Sequence, residues 1–344
     1  MNPIELLQGL VQIPSPSTQE RAASEYLVAQ MSALGFHAFM DDAGNAVGIL
    51  GEGKRDIVLL GHIDTFHGYI EPRIEEGKLY GRGAVDAKGC LATFVSACVR
   101  VGARDGVRFV VIGAVEEESA TSKGARFALT QYTPQCCIIG EPSGWDRVTL
   151  GYKGRVLVDY AIAKSMTHTA SGAHAAAEDA VAFWNSVAAF AADYNRDKPR
   201  VFDQLDASLR ALNSDDDGFT DRAVMRVALR VPTGLTICAV EKEIARFVDG
   251  ANVAFSSEEE PFRADKNNAL VRAFLNAIRD VGVKPAFTLK TGTADMNIVG
   301  PAWGCPIVAY GPGDSALDHT PNEHLDLAEY ERAIGVLARV LTTL

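Results

Sequence analysis

RDIVLLGHID, residues 55–64, decides how the chain is read. Ile57 to Leu60 form an unbroken apolar run with no alternation, so a strand built from them is covered on both faces, as in a parallel sheet flanked by helices. The run stops at Gly61, and His62 and Asp64 follow at once. The same phrase recurs in VRFVVIGAVE (107–116), where Gly113 precedes Glu116, and in QCCIIGEPS (135–143), where Gly140 precedes Glu141. Segments 20–35 and 88–103 carry apolar residues at helical spacing. Strand and helix in alternation predict an α/β fold, with a mostly parallel sheet and helices on both faces.

The rhythm changes after Gly154. RVLVDYAIAK (155–164) alternates apolar and polar residues, as a half-exposed antiparallel strand does. An alanine-rich helix (173–193), alternating runs near 204–212 and 221–231, a helix (237–248) and the strand ANVAFSSEE (251–259) follow. Residues 155–260 thus predict an inserted α+β domain large enough for its own core. It interrupts a discontinuous domain made of 1–154 and 261–344. The earlier style resumes after Pro261 with a helix (267–281) and the strands PAFTLK (285–290) and CPIVAYG (305–311). Asp326 and Glu329 form a D-x-x-E capping pair opening the last helix.

The 344 residues carry a formal net charge of −11, which disfavours binding to nucleic acid or an anionic membrane. No apolar run reaches the ~18 residues of a membrane span. MNPIELLQGLVQIPSP lacks a basic n-region and a long apolar stretch, so the expectation is a short helix stopped near Pro14 and Pro16 rather than a signal peptide. The six cysteines lack metal-knuckle spacing and read as free thiols of a cytoplasmic protein.

Open α/β sheets bind ligands outside the carboxyl ends of their strands. His62 and Asp64, Asp86 in GRGAVDAKG (81–89), Glu116 to Glu118, Glu141, and His319 in GPGDSALDHTPNEH (311–324) all fall at such ends or in adjoining loops. Singly, each has an ordinary alternative: a satisfied core histidine, a solvated acidic triplet, or a helix cap at Asp86. Convergence of five distant segments on one sheet edge sets them apart. Imidazoles mixed with carboxylates suit zinc, cobalt or manganese better than calcium. One carboxylate can bridge two ions roughly 3.5–4 Å apart, and a glutamate outside the ligand set can act as general base.

GHIDTF (61–66), GRGAVDAKG, VEEES (115–119) with SKGAR (122–126), GEPS (140–143) and DHTPNEH (318–324) resemble the co-catalytic zinc exopeptidase and deacylase superfamily, which includes acetylornithine deacetylase, succinyl-diaminopimelate desuccinylase and carnosinases. The resemblance covers essentially the whole chain, the inserted domain included. It implies an amide hydrolase with two divalent metal ions, zinc foremost and cobalt or manganese as alternatives. His62 and Glu141 would bind one ion, His319 and a glutamate of the triplet the other, and Asp86 would bridge them. Asp64 would orient the His62 imidazole. The resemblance also implies a cis peptide after Asp86. The family has two adjacent glutamates, base then ligand, and the triplet leaves two registers: Glu117 with Glu118, or Glu116 with Glu117. His168, in SMTHTASGAH (165–174), matches a histidine that crosses a homodimer interface to stabilise the oxyanion, which makes 155–260 a dimerisation domain. A helix-cap histidine is the alternative and His174 a rival; His37, His67 and His324 read as non-catalytic.

EPSGW (141–145), TLGYKGR (149–155), KTGTADMN (290–297) and YGPGDS (310–315) carry a closer resemblance, to the carrier-protein lysine/ornithine hydrolases of prokaryotic lysine and arginine biosynthesis. Those enzymes release lysine from the γ-carboxyl of an acidic amino-group carrier protein, which would be the partner here. Arg230 is then the candidate for the substrate α-carboxylate, because a guanidinium binds it bidentately. Thr291, Gly292 and Thr293 would line the pocket, and Asp295 would meet an ammonium group. A deacylase of small N-acyl amino acids or a dipeptidase would use the same metal site. A metal-binding scaffold without turnover is disfavoured by the glutamate triplet, which supplies a base. An acidic carrier would need basic side chains at the cleft mouth, with Lys153, Arg155 and Arg82 as candidates.

Overall fold

The computed structural model describes residues 2–344. The chain divides into two compact units. The first comprises residues up to Gly151 with Ala264–Leu289 and Ala294–Leu344; the second is Tyr152–Arg263, joined by Lys290–Thr293.

In chain order the first unit begins with α1 (Pro3–Val11), α2 (Arg21–Ala33), β1 (His37–Met40), β2 (Ala46–Leu50), β3 (Arg55–His62), β4 (Arg73–Glu75) and β5 (Lys78–Tyr80). It continues through α3 (Lys88–Val101), β6 (Val107–Ala114), α4 (Lys123–Gln131), β7 (Cys136–Gly140) and β8 (Arg147–Tyr152). The second unit runs β9 (Gly154–Ser165), α5 (Ala176–Asn195), β10 (Asp206–Asp216), β11 (Thr220–Val231), α6 (Ile237–Ala245), β12 (Asn252–Glu259) and β13 (Phe262–Arg263). The chain then returns with α7 (Ala269–Asp280), β14 (Ala286–Lys290), α8 (Met296–Trp303), β15 (Ile307–Ala309), β16 (His324–Asp326) and α9 (Leu327–Thr343).

The main sheet has the order β1-β2-β6-β3-β7-β15-β8. Its centre is parallel: β3 pairs in parallel with β6 and β7, and β15 with β7. These are the strands with continuous apolar runs, and Ile57 to Leu60 are fully buried. β1 and β2 form an antiparallel edge against β6; β2 is the short apolar run AVGIL (46–50), which the strand pattern read from the sequence did not include.

Glycine lines up across the strand ends. The register pairs Gly61 with Gly113 on one side and with Gly140 on the other. A Cβ on Gly140 would stand 2.9 Å from Gly61 Cα and 3.0 Å from the Phe94 ring. A Cβ on Gly113 would stand 3.0 Å from Leu91 Cδ2. Bare backbone along this row lets α3, which carries Leu91 and Phe94, pack against strands whose next residues include His62 and Glu141. Residues Lys88 to Cys98 of α3 are buried without a break, as an interior helix requires.

At the start of α9, Asp326 caps the helix by accepting from Glu329 N at 2.8 Å. The Glu329 carboxylate reaches elsewhere, accepting from Gly313 N at 3.0 Å and Trp145 N at 3.2 Å. Two loop amides thus draw the acid that the sequence pattern assigned to the capping box.

The second unit is an antiparallel sheet of order β10-β11-β9-β12 with α5 and α6 packed on it. Burial alternates along β9 and β11, and Val156, Val158, Val227 and Leu229 join Phe183 and Val240 in a separate core. Four cysteines are buried, Cys305 is half-buried and Cys238 is exposed. No helix among the described residues is long and apolar enough to cross a membrane.

Candidate metal centre

The sheet delivers the candidate ligands by register. His62 ends β3 opposite Ala114, so residues 115–118 leave the sheet beside it, while Glu141 leaves from β7 on the other side. Asp86 lies in the turn that enters α3, and the Asp86–Ala87 peptide is cis, as the resemblance implied. His319 arrives on the loop after β15.

The two oxygens of Asp86 face different histidines. Oδ1 lies 3.1 Å from His62 Nε2 and Oδ2 lies 3.1 Å from His319 Nε2. Glu118 Oε1 stands 2.9 Å from His319 Nε2, while Glu117 Oε2 and Glu141 Oε1 each stand 4.0 Å from His62 Nε2. Two donors on one tetrahedral ion with bonds of ~2.0–2.2 Å are roughly 3.3–3.6 Å apart. On the His62 side the separations of 3.1 and 4.0 Å bracket that spacing, and on the His319 side those of 2.9 and 3.1 Å fall just below it, so small side-chain shifts would let the donor set hold two cations sharing one carboxylate.

Electrostatics point the same way. Burial would depress the His62 imidazole, but its contacts with Asp64 and Asp86 outweigh it and hold the pKa well above the usual range. Asp86 and Glu118 raise His319 to about 10. Burial pushes the Glu117 carboxyl well up; His62 opposes this, and Glu141, Asp295 and Glu118 reinforce it. Four carboxylates around two imidazoles make a hollow that cations would neutralise.

The geometry separates the three glutamates of the triplet. Glu118 meets His319, Glu117 stands 4.0 Å from His62 and feels the Glu141 charge, and Glu116 turns away toward Thr121 and Lys123. Asp64, fully buried, has Oδ1 3.5 Å from His62 Nδ1. Its carboxylate also accepts from Glu117 N at 3.0 Å and Glu118 N at 2.9 Å, fixing the loop that carries them.

The model of peptidase family M20/M25/M40 matches residues 58–343. The chain belongs to that family. It is 46% identical to the LysW-lysine hydrolase of Deinococcus radiodurans, over 99% of this chain and 96% of that one. To the LysW-lysine/LysW-ornithine hydrolase of Saccharolobus solfataricus it is 31% identical, over 94% and 91%. Among solved structures, the M20 family metallo-carboxypeptidase of Sulfolobus solfataricus superposes with a TM-score of 0.81 at 17% identity, covering 99% of each chain. A dinuclear metal-binding M20 peptidase of Bacillus subtilis gives 0.70 at 13% identity, covering 99% of this chain and 97% of that one. This M20 chain is a metal-dependent hydrolase of the peptidase and amidohydrolase type.

Two supports of the M20 site carry no sequence signal of their own. Glu323, fully buried, accepts from Val85 N at 3.1 Å and Asp86 N at 3.2 Å and pairs with Arg82 at 2.7 Å, clamping the bridging turn. Phe66 stacks on His319 with ring centroids 4.3 Å apart and planes 9° from parallel. Glu323 lies in DHTPNEH and Phe66 in GHIDTF, but their partners become neighbours only in the fold.

Other candidates lie on the second unit. His168 is exposed and caps a short turn, accepting from Ala170 N at 3.1 Å. His174 is exposed, 3.6 Å from Asp179. Arg230 on β11 donates to Thr293 Oγ1 at 3.1 Å, which brings it beside the segment holding Thr291 and Gly292. Asp295, in the first unit, is buried at the start of α8.

The three basic residues expected at a cleft mouth are neutralised by near neighbours. Lys153 is fully buried, donating to Asp206 at 2.6 Å and to the Gln204 carbonyl at 2.7 Å. Arg155 pairs with Glu259 and Arg82 with Glu323, each at 2.7 Å. A closed ion pair projects little field, so these residues do not supply the expected attraction for an acidic carrier.

Proposed function

We propose that this M20 enzyme hydrolyses the amide joining lysine, and also ornithine, to the γ-carboxyl of an acidic amino-group carrier protein, in cytoplasmic lysine and arginine biosynthesis. The observation that carries the reading is the 46% identity, over 99% of this chain, to a protein named LysW-lysine hydrolase.

Two ions, zinc foremost and cobalt or manganese as alternatives, would be held by His62 with Glu141 and by His319 with Glu118, with Asp86 common to both. When bound, such ions polarise an amide carbonyl and make water more acidic. Glu117 stands outside the ligand set as general base: it takes a proton from the attacking water and returns it to the leaving amine. Asp64 keeps His62 and the Glu117–Glu118 backbone in place. Arg230 pairs with the substrate carboxylate, and Thr291 and Gly292 line its side of the pocket. Residues 155–260 form the homodimer contact that brings His168 to the neighbouring protomer's site to stabilise the oxyanion.

Amino-acid release from carrier-linked lysine, carrier-linked ornithine, N-acetyl-lysine and N-acetyl-ornithine tests the substrate. Carrier-linked lysine is expected to give the highest kcat/KM. An acetylated amino acid turned over better than the carrier conjugate would overturn the reading in favour of a small-molecule deacylase.

A further inference from the structure

The residues from the end of α1 to the start of α2 include no candidate metal ligand, yet they touch three of the segments that build the centre. Lys88, buried two residues after Asp86, donates to the carbonyls of Leu10 at 3.1 Å and Ile13 at 2.6 Å. Ser15 Oγ donates to the Ile63 carbonyl at 2.8 Å, and Thr65 N donates to the Ser15 carbonyl at 2.9 Å. Glu20 Oε1 accepts from Glu116 N at 3.2 Å. Between them, Ser17 Oγ donates to Asp64 Oδ2 at 2.7 Å. Residues 10–20 thus tie together the end of β3, the Asp86 turn and the glutamate loop.

The Ser17 bond differs from the others because it reaches the one carboxylate that holds the backbone of both Glu117 and Glu118 and faces the His62 imidazole. Asp64 Oδ1 accepts from Glu117 N and faces His62 Nδ1 at 3.5 Å, whose nearer partner is the Asp64 main-chain carbonyl at 3.0 Å, while Oδ2 accepts from Glu118 N and Ser17. Removing the hydroxyl leaves Oδ2 with one backbone donor among these and relaxes the rotation of the carboxylate about its last torsion. Outer partners of this kind set ligand orientation and metal affinity.

We propose that Ser17 is a positioning residue of the metal centre: its hydroxyl locks the Asp64 carboxylate and thereby fixes the spacing of Glu117 and Glu118 and the negative charge that faces the His62 imidazole. Ser17 touches no reacting atom in this role. The inference rests on the metal-site assignment above and is independent of which amide is the substrate.

The test compares Ser17→Ala, Ser17→Cys and Ser17→Thr with the parent protein. Zn2+ affinity is read by competition with a chromophoric chelator, and kcat and KM are measured on one substrate that the parent turns over. Ser17→Ala is expected to weaken Zn2+ binding by about 10-fold, the lower end for loss of an outer hydrogen-bond partner, and to lower kcat by a similar factor with KM unchanged. Ser17→Thr, which keeps the hydroxyl, should restore both, and Ser17→Cys, a weaker donor, should fall between. Parent-like Zn2+ affinity in Ser17→Ala overturns the proposal. So does an equal loss in Ser17→Thr, which would mean that shape rather than the hydroxyl matters. If Ser17→Ala fails to fold, the ranking of Ser17→Thr above Ser17→Cys in Zn2+ affinity decides. A preference for an unexpected substrate changes the proposed function and leaves this result untouched.

Discussion

Glu117→Gln is expected to lower kcat by about 10²–10⁴-fold, the usual worth of a general acid–base group, while the protein still binds two ions per chain. The amide is nearly isosteric with the carboxylate but cannot take a proton from water. Glu117 stands 4.0 Å from His62, deep among the other acids, and is the member of the triplet that pairs with neither His319 nor Lys123. Glu118→Gln should behave differently. Its Oε1 lies 2.9 Å from His319, so its loss should appear first as reduced metal content and be partly relieved by added Zn2+. Glu116→Gln, on a side chain turned toward Thr121 and Lys123, should leave both metal content and kcat near the parent values. Metal analysis and steady-state kinetics on the three variants separate the roles. A larger kcat loss in Glu116→Gln than in Glu117→Gln would select the other register.

Asp86→Ala should remove both ions at once. Each oxygen of this carboxylate stands 3.1 Å from a different histidine, so no other single substitution weakens both halves of the site directly. Transition-state charge stabilisation by metal ions is worth several kcal/mol, so about 10³-fold or more in kcat should vanish with them. Chelator-treated parent protein should show the same loss and recover when Zn2+ is returned; the variant should not recover. Its fold should survive, because Glu323 still holds the backbone of the turn and α3 remains packed. Circular dichroism checks the fold and elemental analysis the metal. Two tightly bound ions per chain in Asp86→Ala would show that the ions do not share this carboxylate.

Much of the candidate site is legible in the sequence because several of its residues follow continuous apolar strands. Gly61, Gly113 and Gly140 mark the strand ends, and the parallel register sets them side by side. What escaped depends on distance along the chain. Glu323 meets Val85 and Asp86 more than 230 positions away, and no local period can announce that bond. Glu329 follows the capping pattern in spacing, yet two loop amides claim its carboxylate. β1 and β2 are four and five residues long, too short for alternation to stand out. Lys153 looked like a surface cation because charge is visible in sequence and burial is not; the fold places it inside, on Asp206.

The two histidines differ in their access to water, and this gives the centre a direction in time. The His62 side chain is 1% exposed and ends a core strand, whereas the His319 side chain is 41% exposed and rides on a loop, backed by Phe66. Loops open by local fluctuation at small free-energy cost, while core strands open only with large parts of the fold. An ion on the His319 side should therefore come and go while its neighbour remains. Isotopic zinc exchange should then be biphasic, with one ion per chain leaving rapidly and the other at a rate set by unfolding; a single phase for both would contradict it. In a cell where free zinc is scarce, such a protein would persist as a half-filled reservoir, its working capacity set from moment to moment by the supply of the second ion.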